Sequence, residues 1–352
     1  MAVSFWAQVG AQAPYASAPA ASAPAWVRVP RAEGRIRAAQ IGLVINSADP
    51  YSVAVGEHYI ERRGLAPSQV LRLELPVRST LNVDEFNALR QAIGEYFGAG
   101  IQALALAWVM PFAVECNSIT GALALGFDGD LCKHPCSPSR PSRYFDSASI
   151  RPLNELGFRP SMLLAAGSID QARALIDRGV AADGTLLLRG RPPVSAMFLT
   201  TGDPARRVRT PLYPPPGLLR SAGVDVRVAP AETLKNAPLV LLAITGSKKL
   251  DLPSPIDWVP GALADHLTSV GGALAGGHDQ STVLEWITSG ATASYGTVSE
   301  PCNHLQKFPH PQLLLLNYVQ GASAIEAYWK SVAWPQQGLF VGEPLAAPFG
   351  RR

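Results

Sequence analysis

Charge is scarce in this chain. Asp, Glu, Lys and Arg make up 16% of its 352 residues, below the usual quarter, and the formal net charge is only +3. The basic stripe of a nucleic-acid-binding protein is missing, so no nucleic-acid partner is expected. Long apolar runs are missing too: nothing approaches the ~20 residues that cross a bilayer, and no transmembrane segment is expected. No G-x-S-x-G elbow of a serine hydrolase occurs, and no internal repeat is visible. Cysteine occurs four times and histidine six. Structural zinc usually takes two closely spaced cysteine pairs, and only Cys132 and Cys136 form one. No metal or other cofactor is therefore assigned.

What is present bounds the answer from the other side. The apolar fraction is 47%, enough for a sizeable core, while 31 Gly and 31 Pro imply many turns. Residues 1–38 form an Ala/Pro-rich arm. Its Ala11-Gln12-Ala13 resembles a signal-peptidase triplet, although the stretch before it is short and lacks basic residues. It reads as the remnant of an export signal or as a flexible arm. Cys116, Cys132, Cys136 and Cys302 are even in number and mostly close, which fits two disulfides made in an oxidising compartment. A competing reading is metal, with His134 between two thiols. The disulfide reading places the protein in the periplasm or outside the cell.

From residue 39 onward the pattern is one α/β domain. Ala39 to Asn46 is an apolar run expected as a buried parallel strand. Ser52 to Arg63 has helical spacing and ends at Gly64, a natural C-cap. Val70 to Leu75 returns as a strand, Asn82 to Phe97 as a helix, and Ile101 to Val109 as a third strand. An irregular, cysteine-containing excursion spans about 112–160, where cross-linking accounts for its length. Strands are expected at 161–165, 196–200, 224–228 and 237–244, with a helix from Ile169 capped by Ser168. Leu212 to Gly223 is Pro-rich, then helical. ALADHLTS can be a strand or a helix turn. A Gly-rich loop (271–281), a helix (282–289) and the strand ATASYGTV follow. The chain closes with a helix at 322–332 and a strand at 338–341. Such alternation predicts a mostly parallel central sheet flanked by helices.

The segments YSVAVGEHYIERRGL, ALAWVMPF, PGALADHLTS, GATASYGTVSEP and IEAYWKSVAWPQQGLFVGEPLAAPF resemble an uncharacterised bacterial family of conserved, often exported, hypothetical proteins. More remotely, GATASYG and GEP resemble the order found in caspase-fold cysteine peptidases of the gingipain type. That resemblance implies a caspase-like or flavodoxin-like second half. It does not carry the peptidase chemistry: Thr245-Gly246 stands where His-Gly would, and Ser269 where the nucleophilic Cys would.

Open α/β sheets bind ligands beyond the carboxyl ends of their strands. The polar residues expected there are Asn46, Ser47, Trp108, Ser247, His278, Asp279 and Ser281, as binding residues for a small molecule or peptide. Asn46, Ser269, His278 and Glu300 are expected to border one pocket. A catalytic alternative uses Ser269 with His266 as base and Glu300 as acid–base partner, or a metal near His278 and Glu300. The plainer readings are that Asp279 or Ser281 caps the following helix, that Glu300 anchors a loop, and that Trp108 is core. His304 and His310 read as exposed loop residues. No feature assigns an oligomeric state.

Overall fold

The computed structural model describes residues 25–187 and 190–351. The possible export-signal remnant lies outside them. Residues 25–38, expected as part of a free arm, pack against the domain: Val27 N–H donates to Gln312 Oε1 at 2.8 Å, and Ile36 is fully buried.

In chain order, β1 (Ile41–Asn46), α1 (Pro50–Arg63), β2 (Val70–Leu73), β3 (Thr80–Leu81), α2 (Val83–Tyr96) and β4 (Ala103–Leu106) come first. The excursion holds β5 (Ala113–Val114), β6 (Asn117–Ser118), α3 (Ile119–Leu125), α4 (Asp130–Lys133) and α5 (Pro152–Leu156). Then follow β7 (Ser161–Leu163), α6 (Ile169–Ala182), β8 (Val194–Thr200), β9 (Gly217–Leu219), β10 (Val224–Pro230), β11 (Val240–Gly246) and β12 (Trp258–Leu267). The chain ends with α7 (Val283–Ser289), β13 (Ala293–Thr297), α8 (Pro311–Val319), α9 (Ala324–Trp329) and β14 (Gly338–Gly342).

Local chemistry explains the helix ends. Asp49 accepts the Tyr51 N–H at 3.0 Å ahead of Pro50, and Gly64 closes α1 in the left-handed region at φ 64°. Asn82 and Glu85 form a reciprocal capping box on α2, and Ser168 caps α6. Among the described residues no helix is long and apolar enough to cross a membrane.

An eleven-stranded sheet in the order β2-β1-β4-β7-β14-β13-β12-β11-β8-β10-β9 forms the centre. Neighbours run parallel except β13/β14 and β9/β10. The fold class read from the sequence is thus the observed one. The last strand, β14, sits in the middle of the sheet, parallel to β7 and antiparallel to β13. It joins two parallel half-sheets that point in opposite directions. Its close approach to β13 requires glycine: a Cβ on Gly338 would lie 2.1 Å from the Tyr295 hydroxyl, and one on Gly342 would lie 2.5 Å from Ala293.

A main apolar core covers most of the sheet, and a smaller one groups Met197, Leu199, Ala243, Ala264 and Trp286. The excursion is more regular than expected, since β3, β5 and β6 form a second small sheet. Cys116 pairs with Cys132 and Cys136 with Cys302, with Cα–Cα distances of 5.2 and 5.1 Å. The metal reading of these cysteines is thereby set aside. Two disulfides fit a chain that matures outside the reducing cytoplasm.

Several elements differ from expectation. The Leu212–Gly223 segment holds the edge strand β9 rather than a helix. Of the two readings of ALADHLTS the strand is the one formed, with β12 ending at Leu267. The unforeseen α8 is buried along Pro311–Leu315, Asn317 and Tyr318, so it lacks the polar stripe that reveals an amphipathic helix. His310 is half-buried as its N-cap, its Nδ1 accepting the Leu313 N–H at 3.4 Å.

Candidate functional site

Strand direction separates the expected residues. Asn46 ends β1 and Trp108 follows β4, whereas Ser247, Ser269 and Glu300 follow β11, β12 and β13, which run the other way. Their carboxyl ends lie on opposite edges of the sheet. The expected single pocket bordered by Asn46, Ser269, His278 and Glu300 is therefore not formed. Asn46 is buried and ties the ends of β1 and β2 together, its Nδ2 donating to Leu75 O at 3.0 Å and its Oδ1 accepting the Leu75 N–H at 2.9 Å. The neighbouring Ser47 is exposed. Trp108 is fully buried and donates from Nε1 to Pro111 O at 2.8 Å, so it is core and lines no crevice.

Glu300 is exposed and accepts the Cys302 N–H at 2.8 Å, anchoring the turn that carries the disulfide. His278 is exposed in the Gly-rich loop. Asp279, in the same loop, accepts from Lys248 Nζ at 2.9 Å and pairs with Lys249; these two partners hold its carboxyl down at about 2. No group of three or more His, Cys, Asp or Glu among the described residues is arranged to hold a metal ion.

His266 is 1% exposed, and both of its ring nitrogens are occupied. Nε2 lies 3.0 Å from the Ser281 carbonyl oxygen, which can only accept. Nδ1 lies 3.1 Å from the Trp286 indole N–H, which can only donate. The partners thus fix the neutral Nε2–H tautomer and leave no lone pair to activate Ser269. Ser269 instead donates its backbone N–H to Gln280 Oε1 at 3.0 Å, an oxygen that also accepts from Thr268 Oγ1 at 2.6 Å. On the other face of β12, Asp265 is fully buried against Arg209, itself 1% exposed. Burial pushes the Asp265 carboxyl up against the pull of that guanidinium.

Burial also lowers the His266 imidazole from 6.5 to about 4, against the raising effect of the Ser281 carbonyl. Above pH ~6.5 the ring is neutral in both folded and unfolded chains and adds no pH dependence. Between about pH 6.5 and 4 the unfolded chain takes up a proton that the folded one refuses, so stability falls with pH. The expected loss from this residue reaches roughly 3 kcal/mol at pH ~4. Urea titrations across that range should show a shallower pH slope for His266→Asn than for the parent. Equal slopes would refute the assignment.

The second half-sheet has the order β10-β8-β11-β12-β13, second-first-third-fourth-fifth along the chain. In this doubly wound order the path reverses between its first and third strands, which leaves a crevice at their carboxyl ends. A cleft of about 320 Å³ lies at that place, lined by Leu199 and Thr201 at the carboxyl end of β8 and by Thr245 and Ser247 at the carboxyl end of β11. Leu234, Leu252 and Trp286 add apolar wall, while Glu232, Lys235, Lys249 and Asp251 are also among its lining residues. Ser247 is thus the one expected binding residue that borders it. Thr245, 4% exposed, has a buried Oγ1 with no hydrogen-bond partner among the described residues. Ser281 shapes the neighbouring loop, accepting the Leu250 N–H at 2.9 Å and donating to Glu285 Oε2 at 2.7 Å.

Sequence reasoning overlooked Trp286, Leu234 and Leu252. Nothing in the local pattern distinguishes an apolar side chain that lines a cleft from one that packs in a core. The reversal of strand order was the available signal, and it requires knowing which strands are neighbours. No protein-family model, curated protein or solved structure matches the chain.

Proposed function

We propose that this is an exported protein, periplasmic or secreted, that binds a small ligand at the crevice between β8 and β11. The observation that carries the reading is the coincidence of an apolar-lined cleft with the reversal point of the second half-sheet. A binding role is favoured over hydrolysis because His266, the base the hydrolytic reading needs, has both nitrogens engaged. A degenerate relative of caspase-fold peptidases, with Thr245 and Ser269 at the positions of the catalytic pair, agrees with the same reading.

The test uses the neutral fluorescent probe 2-naphthol. The parent protein should bind it with a dissociation constant on the order of 0.1 mM. Ser247→Trp, which places an indole at the cleft, should weaken binding about tenfold or more by steric exclusion, with little change in melting temperature. Ser47→Trp, at the opposite sheet edge, should leave binding unchanged. Equal binding by all three proteins would place the site elsewhere and refute the proposal.

A further inference from the structure

One hydroxyl beside the crevice stands apart from the rest. Four neutral side chains lining the cleft carry a hydrogen-bond donor: Thr201, Thr245, Ser247 and Trp286. Three of them are spent within the protein. Thr201 Oγ1 donates to Gly246 O at 2.6 Å, Ser247 Oγ to Lys249 O, and Trp286 Nε1 to His266 Nδ1 at 3.1 Å. Thr245 keeps its donor: its Oγ1 is buried and has no hydrogen-bond partner among the described residues. Strand register fixes which way it faces. Thr245 lies opposite His266 across β11 and β12, so both side chains project from the face that carries Trp286, while Ile244 and Asp265 project from the other. A turn about χ1 exchanges the hydroxyl and the methyl between staggered positions, so the hydroxyl can meet a group laid against this side chain. Charge gives the cleft no preference of its own. Glu232, Asp251 and Asp279 stand against Lys235, Lys248 and Lys249 around the mouth.

We infer that the crevice selects a ligand with a hydrogen-bond acceptor, a carbonyl oxygen on an apolar body of about one ring, and that Thr245 Oγ1 donates to that oxygen. This rests on the binding reading above. A buried hydroxyl without a partner carries the cost of its lost hydration, which a ligand acceptor would relieve and an apolar group would not. A ligand donor would not single out Thr245, since the hydroxyl oxygens of Thr201 and Ser247 can also accept. The apolar part would lie on Leu199, Leu234, Leu252 and Trp286, within a space of about 320 Å³.

Acetophenone and its isostere α-methylstyrene, in which a methylene replaces the carbonyl oxygen, test this by NMR titration. In Thr245→Val, which keeps the side chain's shape and removes the hydroxyl, acetophenone should bind about three- to tenfold more weakly than to the parent. α-Methylstyrene should bind the variant as well as the parent or better, because no hydroxyl is left beneath it without a partner. Thr245→Ser, which keeps the donor, should hold acetophenone as the parent does. The melting temperature of Thr245→Val should equal or exceed that of the parent, since the hydroxyl it removes makes no internal bond. A clearly lower one would show that the hydroxyl has a partner in the protein and would overturn the inference. Equal acetophenone binding by the parent and Thr245→Val, lost in Ser247→Trp, would also overturn it and leave the crevice reading standing. Binding of neither probe, or binding that survives Ser247→Trp, would overturn both.

Discussion

Replacing Cys136 and Cys302 by serine is expected to destabilise the protein by about 5 kcal/mol, the chain-entropy value for a bridge across so long a loop. The two cysteines are 166 residues apart in sequence, with their Cα atoms 5.1 Å apart, so the bond closes nearly half the chain. By the same reasoning the Cys116–Cys132 bridge, with a separation of 16, contributes about 3 kcal/mol. The contacts around the longer bridge would loosen with it. Lys307 Nζ donates to Pro135 O at 2.6 Å, His304 Nε2 meets Cys136 O at 2.7 Å, and Ser299 Oγ donates to Cys116 O at 2.6 Å. Hydrogen exchange should accelerate first around residues 128–146, while the crevice, built on β8 and β11, keeps its ligand affinity. Urea unfolding of the oxidised parent and the Cys136→Ser, Cys302→Ser variant gives the difference. A loss below about 1 kcal/mol would show that the unfolded chain gains little freedom when the bridge is absent.

Glu343→Ala is expected to cost about 3–5 kcal/mol, because it leaves a guanidinium buried without its main counter-ion. Glu343 follows β14 and is fully buried. Arg63, at the end of α1, grips it with both forks: Nε to Oε1 at 3.0 Å and Nη2 to Oε2 at 2.6 Å. The remaining Nη1 reaches Asp183 Oδ2 at 2.6 Å, and Tyr59 donates its hydroxyl to Glu343 Oε1 at 3.1 Å. Burial works to lower the Arg63 pKa, but Glu343, Tyr59 and Asp183 reverse it, and the net shift is upward. The cluster ties α1 and the loop after α6 to the carboxyl end of β14, the strand that joins the half-sheets. Tyr59→Phe removes one hydrogen bond from the same group and should cost only about 1 kcal/mol. The double variant Arg63→Met, Glu343→Leu should recover part of the loss, since it removes the guanidinium that Glu343→Ala strands, while Asp183 and the Tyr59 hydroxyl each give up one partner. If Glu343→Ala costs no more than Tyr59→Phe, the guanidinium must find another partner or water, and the buried pair does not secure this junction.

Much of the chain's local structure was fixed by short-range chemistry. Asp49-Pro50 starts α1 and Gly64 stops it. Asn82 with Glu85 opens α2, and the apolar runs at 41–46 and 103–106 are buried on both faces of a parallel sheet. Each signal involves residues within a few positions of one another, so the sequence alone carries it. The even set of cysteines likewise announced two disulfides, but which sulfurs meet depends on the excursion folding back onto the turn after β13.

The functional geometry was decided at longer range. Asn46 ends one parallel strand and Ser269 sits just beyond another, and nothing local tells that those strands point in opposite directions. That follows from the insertion of β14, nearly the last segment of the chain, between β7 and β13. The fates of His266 and Trp108 depend on partners supplied by the fold: the Trp286 indole and the Ser281 carbonyl for one, a tight turn at Pro111 for the other. Periodicity and capping are properties of neighbours in sequence. A crevice is a property of strand order, which is set only when distant segments compete to bury their apolar faces in one sheet.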